Sequence, residues 1–390
     1  MLIRLLVVSL AMLAVTPAQP QTKLDIPVIY LRQEVPAPPV LSNLDPIPED
    51  RGIAGAELGL TDNLTTGRFM GHDYKLDLIT VPQDGDLRGA AVDALGRSRL
   101  LIVDAPAEDL LMIADLPAAE GALIFNAAAP EPVLRGAECR ANVFHSLPSL
   151  AMRTDALMQF LQKRRWDDLV MVAGVYAVDD AYADALATSA TKFGLTVRER
   201  KDWVFDADMR RNASQEVPLF TQDFGEYDLL LVADETRDFC RYLAYNTWEA
   251  RPVAGSEGLE PVTWAPVVEQ WGAAQLQNRF RDQAGRSMAS RDYAAWAAMR
   301  AIGEAVTRTT AADAATLRDF MLSDQFELAG FKGRPLSFRT WNGQLRQPIP
   351  LVTRSALVAQ APLEGFLHPV TELDTLGADA PETDCTAFTE

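Results

Sequence analysis

The chain has 390 residues, 54 of them acidic and 36 basic, for a formal charge of −18. Hydrophobic residues make up 48 % and charged residues 23 %, a globular composition, and the length suits two lobes better than one compact core. The negative charge repels phosphate backbones and anionic lipid, which argues against nucleic-acid and membrane-surface roles.

The N-terminus opens with Met1-Leu-Ile-Arg4, a short positive start. An apolar run from Leu5 to Val15 follows, too short to span a bilayer, and Thr16-Pro-Ala18 places a small residue at the expected cut. This pattern predicts a cleaved secretory signal peptide over 1–18 and a soluble, periplasmic product.

Strand and helix signals then alternate. Ile26-Pro-Val-Ile-Tyr-Leu31 predicts a short buried strand, and Ile53, Ala56, Leu60 and Leu64 mark one face of a helix over 49–69. Strands are predicted at Tyr74 to Thr80, Arg99 to Val103 and Gly121 to Phe125, with helices over 87–96 and 107–116 between them. After Phe144-His-Ser-Leu-Pro148 the pattern restarts with a helix over 149–165 and a strand over Asp168 to Ala173. Tyr182, Leu186, Ala190 and Phe193 line the next helix, which Gly194 ends. Further strands are predicted at Leu195 to Glu199, Tyr227 to Val232 and Pro252 to Ala254. The Ala-rich stretch Ser290 to Val306 is apolar around most of its circumference and predicts a helix buried on several sides. Asn342-Gly343, between extended segments, signals a closing hairpin. Alternation of this kind implies α/β lobes with parallel sheets covered on both faces, and the restart near 148 implies two of them.

The chain has three cysteines and three histidines, without zinc-ligand spacing. Cys240 lies at helical spacing with Phe239 and Leu243 and reads as a small core hydrophobe. Cys139 and Cys385 lie in polar, loop-like surroundings and are the expected disulfide pair of an exported protein. His145-Ser146 lacks a Gly-x-Ser-x-Gly elbow, and no glycine-rich phosphate loop occurs, so an enzyme reading is disfavoured.

The ordered set of segments resembles the type I periplasmic binding proteins of the branched-chain amino acid uptake systems. The likeness rests on Gly52 to Asn63 with Gly71-His-Asp-Tyr-Lys-Leu, on Val143 to Ser149, on Gly255-Ser-Glu-Gly258, on Asp292-Tyr-Ala-Ala-Trp and on the terminal hairpin. It implies two Rossmann-like lobes joined by a three-segment hinge near Ser146, Trp264 and Gly330. Lobe one would comprise 19–147 and 265–330, lobe two 148–264 and 331–360, and 361–390 would form a tail. It also implies capture of a small molecule for a membrane permease of an ABC transporter, with no cofactor required. Trp264 to Phe280, and the tail from Gly365 to Gly377, resemble the binding proteins associated with pyrroloquinoline-quinone-dependent alcohol dehydrogenase systems. That subfamily makes the quinone a possible ligand and the dehydrogenase system a possible partner. A sensing or cofactor-holding module is the first alternative, and an exported enzyme the second.

In open parallel sheets ligands bind beyond the carboxyl ends of the strands. On this rule the candidates are Arg32, Asp104 and Asn126 in lobe one, and Tyr176, Trp203, Asp234 and Glu257 in lobe two, with Trp264 near the return crossing. Glu257 matches the family's acid that accepts a ligand ammonium. Lobe one lacks the family's small hydroxyl residues, since Asp104-Ala-Pro106 and Asn126-Ala-Ala-Ala129 contain no serine or threonine. Exposed faces of Trp203 and Trp264 would suit a planar ligand, and Arg32 a carboxylate.

Overall fold

The computed structural model describes residues 23–36, 47–204 and 209–388, so the expected signal peptide lies outside the described residues. The first lobe is built from β1 (Leu24–Gln33), α1 (Ile53–Met70), β2 (His72–Val81), α2 (Leu87–Arg97), β3 (Leu100–Asp104), α3 (Ala107–Ala114), β4 (Leu123–Asn126) and β5 (Val143–His145). Its five strands run parallel in the order β2-β1-β3-β4-β5. Side chains alternate across the sheet. Val28, Tyr30, Ile102 and Phe125 pack toward α1, while Ile29, Leu31, Leu101, Val103 and Ile124 pack toward α2 and α3. Burial on both faces is why these strands read as unbroken apolar runs. α1 begins later than predicted because Gly52 takes φ 85°, outside the helical region, and it ends at Gly71 with φ 74°.

The second lobe repeats the plan with α4 (Leu150–Arg164), β6 (Asp168–Ala173), α5 (Ala177–Lys192), β7 (Thr196–Asp202), α6 (Met209–Thr221), β8 (Leu229–Ala233) and β9 (Val253–Gly255). Its strands are parallel in the order β7-β6-β8-β9. Ser149 caps α4 by accepting a hydrogen bond from the Met152 amide at 3.2 Å. α6 gave no sequence signal, being polar and carrying Pro218 within it.

The chain then passes through β10 (Glu260–Pro261) and returns to the first lobe as α7 (Ala273–Ala284), α8 (Ser290–Thr309) and α9 (Ala314–Met321). α8 is the predicted Ala-rich helix and is buried along Tyr293 to Met299 and again at Ala301, Ile302, Ala305 and Val306. Its small side chains allow close approach. A Cβ at Gly55 of α1 would fall 1.9 Å from the Asp292 carbonyl oxygen, and one at Gly59 would fall 2.7 Å from the Met299 side chain.

The terminal hairpin differs from expectation. β11 (Leu328–Ala329), β12 (Pro335–Phe338) and β13 (Leu345–Arg346) form a small antiparallel sheet, and Asn342-Gly343 lies in the turn between β12 and β13. This sheet packs on the first lobe, not the second. Phe338 sits 4.9 Å from Phe144 and 5.5 Å from Phe326 between ring centroids, and the His145 amide donates to the Gly343 carbonyl at 2.9 Å. Gly330, expected at the third crossing, is held in the first lobe by the Tyr293 hydroxyl, which donates to its carbonyl at 2.7 Å. The second lobe instead receives β14 (Ile349–Val352), which pairs with β10, and β15 (Leu357–Ala361), which pairs with β14, and they bury Ile349, Leu351 and Ala361 beside Leu157 and Leu169. The third crossing therefore falls at 346–349.

The tail spans both lobes. Arg339 of the hairpin donates to the Asp374 carboxylate at 2.9 Å and to the Leu376 carbonyl at 2.6 Å. The Gly377 amide donates to Asp155 of α4 at 2.8 Å, and Cys385 is disulfide-bonded to Cys139 on the first lobe. The bond closes a loop of 246 residues in sequence. Cys385→Ser should therefore lower unfolding stability by about 2–4 kcal/mol in urea titrations. A wild-type midpoint that does not respond to reductant would show the link to be thermodynamically idle.

Candidate functional site

The first two crossings follow β5 and β9, the last strands of the two parallel sheets, at their carboxyl ends. β5 ends at His145 and α4 begins at Leu150, while β9 ends at Gly255 and Trp264 already packs in the first core. The carboxyl ends of the two sheets therefore face each other, and the side chains there form the candidate site.

In the first lobe Tyr30, Arg32 and Asp104 share one face, since Arg32 and Asp104 are register partners on β1 and β3. Asp104 is buried, accepting from the Tyr30 hydroxyl at 2.8 Å and from Arg291 Nη1 at 3.0 Å. Burial first, then the Asp104 charge, push the Tyr30 hydroxyl well above its ordinary pKa, so it remains a donor. Gly52, opening α1, lies over this pair, and a Cβ there would sit 2.2 Å from the Tyr30 hydroxyl. Arg51 precedes it, half-buried. Burial and then the neighbouring Arg291 bring its guanidinium down to about 10. Arg51 Nε is buried and has no hydrogen-bond partner among the described residues. Arg32 donates to the Glu49 carbonyl at 2.5 Å.

In the second lobe the acids are already engaged. Arg153 of α4 grips Glu235 with two hydrogen bonds, at 2.7 and 3.1 Å, and its guanidinium lies 4.8 Å from the Tyr182 ring centroid. Burial works against the Glu235 charge, yet Arg153 holds the carboxyl below the usual range. Arg354 donates to Glu257 at 3.1 Å and Arg237 to Glu260 at 2.5 Å. Among the described residues no hydrogen bond or ion pair joins the Asp104 group to the Glu235 group.

No protein-family model matches the sequence, and no curated protein matches it. Solved structures do. A periplasmic binding protein of Burkholderia mallei covers 93 % of this chain and 99 % of its own, at a TM-score of 0.66 and 13 % identity. A branched chain amino acid ABC transporter periplasmic ligand-binding protein of Burkholderia xenovorans covers 93 % and 100 %, at 0.69 and 14 %. An ABC transporter solute binding protein of R. palustris in complex with benzoate covers 93 % and 99 %, at 0.62 and 13 %. The fold is that of the type I periplasmic binding proteins.

Within this binding-protein fold the expected site residues divide. Arg32, Asp104 and Glu257 stand at the opposed strand ends. Tyr176 lies at the rim before α5 with its ring exposed. Asn126 and Asp234 are fully buried and turn inward. Asn126 Oδ1 accepts from the Ala128 and Ala129 amides and its Nδ2 donates to His145 Nδ1 at 3.0 Å. Asp234 accepts from the amides of Asp238, Phe239 and Cys240. Both therefore close loops by saturating backbone donors.

The tryptophans also depart from expectation. Trp203 stacks on Phe239 at 5.2 Å and 13°, and Trp264 on Tyr293 at 4.9 Å and 11°, each inside a hydrophobic cluster. Flat aromatic side chains next to a crossing are consumed in core packing, and the argument for a planar ligand drawn from them lapses. Sequence reasoning missed Tyr30, Arg51, Arg153 and Arg291. Only position identifies them, because two precede or open helices and the others hide within apolar runs.

Asp179, at the start of α5, accepts from the Glu235 amide at 2.8 Å, and burial followed by the Asp234 charge raises its carboxyl from 3.8 to about 6. A group that holds its proton more firmly when folded makes stability largest below its unfolded pKa and costs stability as pH rises through the folded one. Stability should thus fall between pH 3.8 and about 6 on account of Asp179. Asp179→Asn should flatten that part of a plot of urea midpoint against pH. An unchanged slope would assign the dependence elsewhere.

Proposed function

We propose that the chain is an exported solute-binding protein of an ABC uptake system, which captures a small molecule between its lobes and presents the closed form to a membrane permease. One observation carries the reading: two parallel sheets with opposed carboxyl ends, joined by three crossings that lie side by side. Such an arrangement can close around a ligand by hinge motion. A ligand with higher affinity for the closed form shifts the population toward it. The solved structures of this fold named above, described as ABC transporter and periplasmic binding proteins, support the same role. No described helix is long and apolar enough to cross a membrane.

Bond-making chemistry finds no support at the strand ends. Glu235, Glu257 and Glu260 are each paired with an arginine, and His145 is buried against Asn126. A sensing module of the same fold would bind and close alike. The link to quinone-dependent alcohol oxidation rests on the resemblance of 264–280 and the tail alone.

Binding to the native state raises apparent stability by mass action, by about 2.7 kcal/mol at a hundredfold excess over Kd. A thermal-shift screen of aliphatic amino acids, small organic acids, short alcohols and pyrroloquinoline quinone should find a solute that raises the unfolding temperature and is recovered chemically unchanged. Turnover of the stabilising solute would replace this reading with an enzyme.

A further inference from the structure

We infer that the solute taken by this cleft is a small organic acid without an ammonium group, its carboxylate held by Arg51, Arg32 and Arg291. The inference rests on the solute-binding reading above and specifies its ligand class.

Three guanidiniums gather at the carboxyl end of the first sheet around a single carboxylate, Asp104. Asp104 already serves Tyr30 and Arg291. Of the other nearby acids Asp50 and Asp292 both pair with Arg286, and among the described residues no ion pair joins Glu34 or Glu49 to the three arginines. Glu108 and Asp109 open α3, but neither pairs with the three arginines. Among the described residues Arg32 reaches only a backbone carbonyl and Arg51 makes no ion pair, its Nε being buried without a hydrogen-bond partner. Arg51 also stands immediately before α1, and Arg291 lies in the first turn of α8. A helix N-terminus disfavours a cation and favours an anion. Two cations held where the backbone repels them, one of them without an ion-pair partner among the described residues, make a site suited to a negative group. Guanidinium forks match a carboxylate geometrically.

The opposite wall explains why the acid should lack an ammonium group. An amino acid would need a free carboxylate there, and Glu235, Glu257 and Glu260 are bonded to Arg153, Arg354 and Arg237. Asp179 and Asp234 are spent on backbone amides.

The test is calorimetric titration of the full mature chain with acetate, benzoate, malonate, succinate, leucine and valine at low ionic strength. At least one acid should bind, more weakly as salt is added, and leucine and valine should not. Arg51→Gln should weaken that acid by about tenfold or more, the scale of one charge-assisted hydrogen bond. Arg51→Lys should recover part of the loss. Arg97→Gln, which removes a surface partner of Asp77, should change nothing. Circular dichroism of each variant confirms folding. Binding of leucine or valine in place of any acid would overturn the ligand class while leaving the solute-binding function standing. Acid affinity unaltered in Arg51→Gln, or no acid bound at all, would also overturn it.

Discussion

A parallel strand can be followed by another only if the chain travels back to the same end of the sheet, so every departure is made from a carboxyl end. In this molecule that constraint governs the architecture. The first lobe is left after β5 and the second after β9, and the third crossing follows β13. Because the crossings are short, the edges they join must lie near each other. Two rows of strand ends, each bordered by helix N-termini, are thereby set face to face. The cleft results from chain connectivity, and the side chains decide only what it accepts.

Beneath the cleft the crossings are joined by a buried polar network. Gln344 donates to the carbonyls of His145 and Leu147 at 3.1 Å each, and accepts from Arg135 Nε at 2.9 Å. Gln347 donates to the Ser146 carbonyl at 2.9 Å and accepts from Lys332 at 2.6 Å. The first and third crossings are thus stapled by two glutamines. Among the described residues no carboxylate forms an ion pair with Arg135 or Lys332. Burial brings Arg135 down to about 9 and Lys332 well below its ordinary value, and burial followed by the Arg135 charge does the same to His145. A network of this kind costs desolvation, and its return lies in fixed geometry at the hinge. The tail adds a further restraint, since Asp374 holds Arg339 and Arg346 of the hairpin while Gly377 is bound by Asp155 of the second lobe.

The inner strands of both sheets were legible because both-face burial leaves unbroken apolar runs such as Leu100 to Val103 and Leu229 to Val232. β5 was missed because three residues carry no period, and α6 because its composition is polar. The lobe that receives a hairpin was not legible. Strand alternation shows that Phe338 and Leu345 are buried, but not that Phe125 and Phe144 bury them. The rule that ligands meet strand ends gathered candidates from the carboxyl edges of both sheets. It could not separate Asp104, which faces the cationic group, from Asn126 and Asp234, which cap their own loops. Arg51 and Arg291 escaped because cations are not expected where α1 and α8 begin.

Val35 and Tyr176 follow the carboxyl ends of β1 and β6 and are exposed, so they mark the two rims. Spin labels at Val35→Cys and Tyr176→Cys, with the buried Cys240 left in place, report the separation directly by electron-electron double resonance. The account predicts that the distance shortens when the most stabilising solute is added. A distance unchanged in the presence of bound solute would contradict opposed, closing lobes.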